Sequence, residues 1–168
     1  GNSFALLLVS SVVLMSLGYA FNRPILFAFG ASEESFVYAS QYLKIYLLGT
    51  VFSMITTGLN GYINAQGFPR IGMLSVILGA VVNIILDPIF IFVFDMGVSG
   101  AALATIISQV VSAAWILHFL FGRSAIVPLK AGNIRISKTI TKDIVRLGTA
   151  NFIMQGTNCL VQVTCNST

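Results

Sequence analysis

Charge is what this sequence has least of. Five acidic residues and nine Lys or Arg make up 8% of 168 residues, against about 25% in soluble domains. So few ionised groups cannot clothe a water-facing surface, which sets aside a soluble helical protein. Cysteine is as sparse: Cys159 and Cys165, six positions apart, fall on different faces of a helix. A disulfide framework and metal ligation are both unsupported, and buried thiols are the plainer reading. The single histidine, His118, stands near the end of an apolar segment, where an interfacial polar residue is expected. Neither a GxGD nor an HExxH pattern occurs, and no second acid or serine–histidine partner accompanies an acid at depth, so an enzyme is not expected.

What is present is hydrophobic sequence in long runs. Apolar residues make up 57% of the chain and the mean hydropathy is +0.93. Four segments are long enough to span a bilayer core, which takes about 20 residues. They cover 3–29, 35–64, 71–94 and 100–121. Asn22, Arg23 and Pro24 interrupt the first, Ser32 is a candidate N-cap for the second, and Gln66, Gly67, Phe68 and Pro69 close it. A basic connector over 122–142 follows, and a fifth candidate helix runs from Asp143 to Thr168. In lipid a helix satisfies its own backbone groups, so the expected fold is an all-α, polytopic transmembrane helix bundle. The opening segment lacks both a methionine and a basic flank, so it reads as a chain whose natural beginning is missing and not as a secretory signal.

The bases are unevenly placed. The connection after the second segment holds Arg70, and the one after the fourth holds Arg123, Lys130 and Arg135, continuing to Lys138, Lys142 and Arg146. The positive-inside rule puts both on the cytoplasmic side of a cell membrane. A basic connector beside spans needs no nucleic acid to explain it, and none is expected as a partner; Ile134, Ile136, Ile140 and Ile144 supply an apolar side that can rest on the membrane surface. Lys44 is read as snorkelling, about 13 Å into its helix at 1.5 Å per residue.

Asp87 is different. A carboxylate inside a span costs about 2.5 to 3.5 kcal/mol to insert, so its presence points to function. Ser75, Gly79, Asn83 and Asp87 follow at intervals of four, one stripe of small and polar groups. Pro88 cannot donate to the carbonyl of Ile84, which frees that oxygen beside the acid and bends the helix. Further polar stripes comprise Ser53, Thr57, Asn60 and Asn64; Ala101, Thr105, Ser108 and Ser112 with Gln109 nearby; and Asn151, Gln155, Asn158 and Gln162. Four such stripes suggest a shared wet interior. Phe52, Met54 and Met73 are candidates to touch an aromatic ligand, although packing accounts for them as well.

The runs GYINAQGFPR (61–70), NIILDPIFIF (83–92) and GVSGAALATIISQ (97–109), in this order and spacing, resemble the multidrug and toxic compound extrusion (MATE) family. The resemblance implies part of a twelve-helix, two-lobe transporter that exports small organic, often cationic compounds in exchange for protons or sodium by alternating access. On that plan 1–121 are helices three to six of the amino-terminal lobe, 122–142 the cytoplasmic linker, and 143–168 the start of the carboxy-terminal lobe. The remaining helices of the same transporter and the lipid bilayer are the implied partners, and no cofactor is implied beyond the coupling ion. The family's amino-lobe cation site falls on Asp87, Asn83 and Thr105, with Asn60 matching a further asparagine of that network. Sodium, if used, would sit at Asp87, and the site's other carboxylate belongs to a family helix outside this chain. Gly148, Thr149 and Ala150 depart from the family pattern, which often has a proline shortly after the glycine. A lipid-linked sugar flippase of a related superfamily is the alternative, and it would need basic residues facing the cavity. An inactive transporter fragment is the third reading.

Overall fold

The computed structural model describes residues 1–122, 125–127, 129, 134 and 136–166, and every regular element among them is a helix. Helix α1 (Asn2–Ala20) stops at Phe21, and the chain restarts as the short α2 (Asn22–Ala28). Pro24 explains the break, because it has no N–H to return to the carbonyl of Ala20. The expected first span, 3–29, is therefore two helices. Helix α3 (Glu33–Leu48) begins with a reciprocal cap: the Ser32 hydroxyl accepts from Ser35 N–H at 3.2 Å, and Ser35 Oγ accepts from Ser32 N–H at 2.9 Å. Glu33 and Glu34 occupy the positive end of this helix. Arg23 reaches back to Glu33 at 3.5 Å and lies over the stacked rings of Phe27 and Phe36, fastening α2 to α3.

The expected continuous span 35–64 is also broken. Helix α4 (Thr50–Ala65) leaves α3 at an angle of 57°, with Gly49 between them. A Cβ on Gly49 would lie 2.8 Å from Ile106 Cγ1 and 3.0 Å from Gln109 Oε1, so the break sits where α6 presses against the backbone. Helix α5 (Pro69–Pro88) runs through Pro88 into a π-helical turn (Ile89–Val93), in which Phe94 N–H donates to the carbonyl of Ile89 at 3.0 Å. Where a bend is expected after Pro88, the helix instead widens into this turn. Helix α6 (Gly97–Phe121) returns antiparallel to α5, and α7 (Lys138–Asn166) starts five residues before Asp143. Lys138, Lys142 and Arg146 of the basic stretch are thus helical, whereas Arg123, Lys130 and Arg135 lie outside the described residues.

Helices α1, α5 with its π turn, and α6 are each long and apolar enough to cross a membrane, and α3 and α4, bent by 57° at Gly49, are so only when taken together. The core lies between α4 and α6, where Ile55, Leu59 and Ile63 meet Ala113, Ile116 and Leu120. Small residues bring α5 against the same helix. Ser75 is fully buried, and Ser112 Oγ donates to its carbonyl at 2.8 Å. Exposed apolar side chains cover the outer faces, as expected where lipid is the solvent.

Two glycines of this bundle should respond oppositely to alanine. A Cβ at Gly72 collides with the amide oxygens of Asn60 and Asn64, whereas one at Gly61 meets nothing within 4 Å. Gly72→Ala should cost about 1–3 kcal/mol by overpacking, and Gly61→Ala should be neutral or gain up to about 1 kcal/mol of helix propensity. Thermal denaturation of the complete protein in detergent reads both, and equal midpoints for the two variants would refute this packing.

Candidate functional site

Three of the four polar stripes converge. A groove between α4 and α5 holds a cavity of about 550 Å³ lined by Thr56, Thr57, Asn60, Asn64 and Gly72, among others. It adjoins a second cavity of about 330 Å³, shared at Thr56, Thr57 and Val76, whose walls include Ser53, Gly79, Asn83, Ser108, Gln109 and Ser112. No charged side chain lines either one among the described residues. The stripe of α7 does not take part. Gln155, Asn158 and Gln162 are exposed, and the side chain of Asn151 lies outside the described residues. The shared interior expected of four helices is built by α4, α5 and α6.

Asp87 and Asn83 stand together. Both are half-buried, and Asn83 Nδ2 donates to Asp87 Oδ1 at 3.3 Å across one turn of α5. No Lys or Arg pairs with Asp87 among the described residues. Asn83 faces the 330 Å³ cavity, with Asp87 one turn further along the helix. Thr105 lies on α6. The Ser112–Ser75 bond and the approach of Gly79 to the Ser108 carbonyl set an antiparallel register that brings Thr105 level with Asn83. Its hydroxyl donates to the carbonyl of Ala101 at 2.9 Å, which leaves the oxygen lone pairs as its free capacity.

Asn60 is elsewhere. Its Nδ2 donates to the Gly72 carbonyl at 3.1 Å and to Ser75 Oγ at 3.2 Å, while its Oδ1 accepts from Asn64 at 3.1 Å. Ser75 is twelve residues from Asp87, about 18 Å along the helix axis, so Asn60 and Asp87 are not brought together. The Asn60 amide clasps α4 to α5.

Two residues lining the smaller cavity carry unsatisfied oxygens: Thr56, which the sequence reading did not select, and Gln109, which it noted only beside the α6 stripe. Thr56 Oγ1 and Gln109 Oε1 are both buried without a hydrogen-bond partner among the described residues, although Gln109 Nε2 donates to Tyr46 OH at 3.4 Å. Thr56 follows Ser53 by three residues and precedes Asn60 by four, a helical signal overshadowed by the adjacent Thr57. Of the apolar residues singled out earlier, Met73 lines the larger cavity, while Phe52 packs against the α4–α6 core.

Comparison with known proteins places this arrangement. The family model MatE matches residues 1–89. The multidrug export protein MepA of Staphylococcus saprophyticus subsp. saprophyticus is 32% identical over 147 residues, 88% of this chain and 33% of that protein. MepA of Staphylococcus aureus is 34% identical over 143 residues, 85% of this chain and 31% of the relative. The solved structure of the MATE multidrug transporter DinF-BH, in complex with a dye, superposes with a TM-score of 0.91 at 33% identity, covering 99% of this chain and 37% of that one. The chain thus spans about a third of the length of the curated relatives it matches.

The position of Asn60 has a measurable consequence. Asn60→Ala should lower the thermal stability of the complete protein, since hydrogen bonds between membrane helices contribute about 0.6 kcal/mol and up to about 1.7 kcal/mol. Any shift of the melting midpoint on adding sodium or changing pH should remain. Loss of that shift with unaltered stability would make Asn60 an ion ligand instead.

Proposed function

This chain belongs to the MatE family, and from that premise we propose that it is part of a membrane exporter that drives small organic cations out of the cell in exchange for protons or sodium. The observation that carries the reading is Asp87: a carboxylate within a span, bonded to Asn83 and tied to no basic side chain among the described residues. A structural acid in lipid would be expected to have a permanent cationic partner. An acid without one is suited to taking up and releasing a cation. The names of the relatives, multidrug export proteins and multidrug transporters, support export as the activity and speak against an enzyme.

Oxygen is the donor atom that sodium prefers among hard ligands. Asp87 would supply the charge, while Asn83, through its amide oxygen, and Thr105, through its lone pairs, would support the ion. A proton would instead neutralise Asp87 and convert it from acceptor to donor toward its neighbours. Either event alters the charge one helical turn from the cavity and immediately before the Pro88–π-turn segment. The drug and the ion are coupled if one orientation of the transporter favours the loaded acid and the other favours the drug.

The cavity chemistry fits such a substrate. Polar side chains such as Thr57, Asn83 and Gln109 line the smaller cavity, and the apolar walls beside them take a hydrocarbon or aromatic body. The sugar-flippase alternative loses support, because no basic side chain lines these cavities among the described residues and Lys44 is exposed. The positive-inside rule places the turn at Arg70 and the linker 122–142 on the cytoplasmic side of a cell membrane.

In the complete transporter Asp87→Asn should reduce efflux of a fluorescent organic cation under a proton or sodium gradient by about 5- to 150-fold, the usual range of a coupling free energy. Expression and detergent elution should be retained. Unchanged gradient-driven efflux would remove Asp87 from the mechanism.

A further inference from the structure

The connector that follows α6 is tied down by its own backbone. Gly122 ends α6 in an extended conformation, and the chain turns back over the helix it has just left. Leu129 N–H donates to the carbonyl of Leu120 at 2.8 Å. That oxygen is one of the last four of α6, which have no partner within the helix. Val127 N–H donates to Gln66 Oε1 at 2.9 Å, and Gln66 is the residue that closes α4. Ala125, only 8% exposed, belongs to the same buried cluster as Leu59, Ile63, Ile116 and Leu120, and Leu129 packs against that cluster. Farther on, Asn2 Oδ1 accepts from Ser137 N–H at 2.6 Å, directly before α7.

The surface under the connector is itself braced. Phe68, in the turn between α4 and α5, meets Phe119 of α6 edge-on with ring centroids 5.2 Å apart. The two elements that hold the connector are thereby joined to each other beneath it. A slack tether would leave its amides to water and its apolar side chains unplaced. Here the amides of Val127 and Leu129 find acceptors on α4 and α6, and the side chains of Ala125 and Leu129 extend the core between those helices.

We infer that the connector is a fixed part of the helix bundle, docked on the shared end of α4 and α6, and that Gln66 is the positioning residue that holds it there. Its seat is protein and not the lipid surface that Ile134, Ile136, Ile140 and Ile144 suggested, since the side chains that dock are Ala125 and Leu129. All of these contacts are made within the chain, so further helices of a longer protein can add to them but are not needed to form them.

The test uses the complete protein with its native cysteines, Cys159 and Cys165 included, replaced by serine and Ala125→Cys introduced. Maleimide labelling of that thiol should be slow both in detergent micelles and in lipid nanodiscs. Gln66→Ala should speed it about 2- to 12-fold, the usual contribution of one hydrogen bond, and Gln66→Glu, which keeps an acceptor oxygen, should restore the slow rate. Hydrogen–deuterium exchange of the peptide containing the Val127 and Leu129 amides, in the protein with its native cysteines and Ala125, should follow the same order while exchange in the middle of α6 is unchanged. Slow labelling in nanodiscs with fast labelling in detergent would put the connector on the lipid, and fast labelling in both would make it a free tether; either result overturns the docking. Equal rates with and without Gln66→Ala would remove Gln66 as its holder. If Ala125→Cys elutes as an aggregate on gel filtration, the exchange data, which need no cysteine, decide alone. Neither readout depends on transport, so the outcome stands whether or not the complete protein exports cations.

Discussion

The contact on which the rest of the bundle depends is the one between α5 and α6 at Ser75, Gly79 and Ser112. Lipid tails are as apolar as leucine, so no hydrophobic effect drives two spans together; close approach and a hydrogen bond must do it. Ser112 donating to the Ser75 carbonyl fixes both the distance and the register. From that register follow the level of Thr105 beside Asn83, the closure of the smaller cavity by Ser108 and Gln109, and the seat of the Asn60 amide on the far side of Ser75. A bond of modest strength thereby positions side chains on three helices.

The polar groups divide into two kinds according to what satisfies them. Asn60, Asn64, Ser75 and Ser112 satisfy one another and the backbone, and so act as fastenings. Asp87, Thr56 and Gln109 retain acceptor capacity that nothing described in the chain takes up fully. Buried polar atoms without partners are uncommon, and they concentrate where a ligand or water belongs. The division is not by itself a map of the site, since Asn22 Nδ2 on α2 is also buried without a partner among the described residues and lines neither cavity.

Much of this was legible in the sequence, because helical periodicity and local chemistry act over a few residues. The Ser32 cap, the interruption near Pro24 and the pairing of Asn83 with Asp87 all depend on neighbours within one turn. What stayed hidden depends on contacts between distant segments. Gly49 is a lone glycine in an apolar run, and only the approach of Ile106 and Gln109 from α6 shows why the helix breaks there. Asn60 matched an ion-site position by pattern, yet its partners come from a helix twelve and fifteen residues on. The start of α7 at Lys138 was missed because its cap is supplied by Asn2, more than a hundred residues away in the chain. The π turn after Pro88 was not legible either, since a proline signals a local disruption without saying which form it takes.

The break at Gly49 also changes the electric landscape of the membrane interior. An unbroken span confines its two poles to the aqueous surfaces, where water screens them. A helix bent into two pieces redirects its peptide dipoles at the joint, where Gly49 N–H donates to the Tyr46 carbonyl at 2.9 Å and the Gly49 carbonyl accepts from Ser53 N–H at 3.0 Å, about 24 Å from the start of α3 at 1.5 Å per residue. Gly49 is buried, so these partial charges act in a medium that screens them weakly. A dipolar or charged molecule moving along α6 past Gln109 would therefore meet a local field produced by backbone alone.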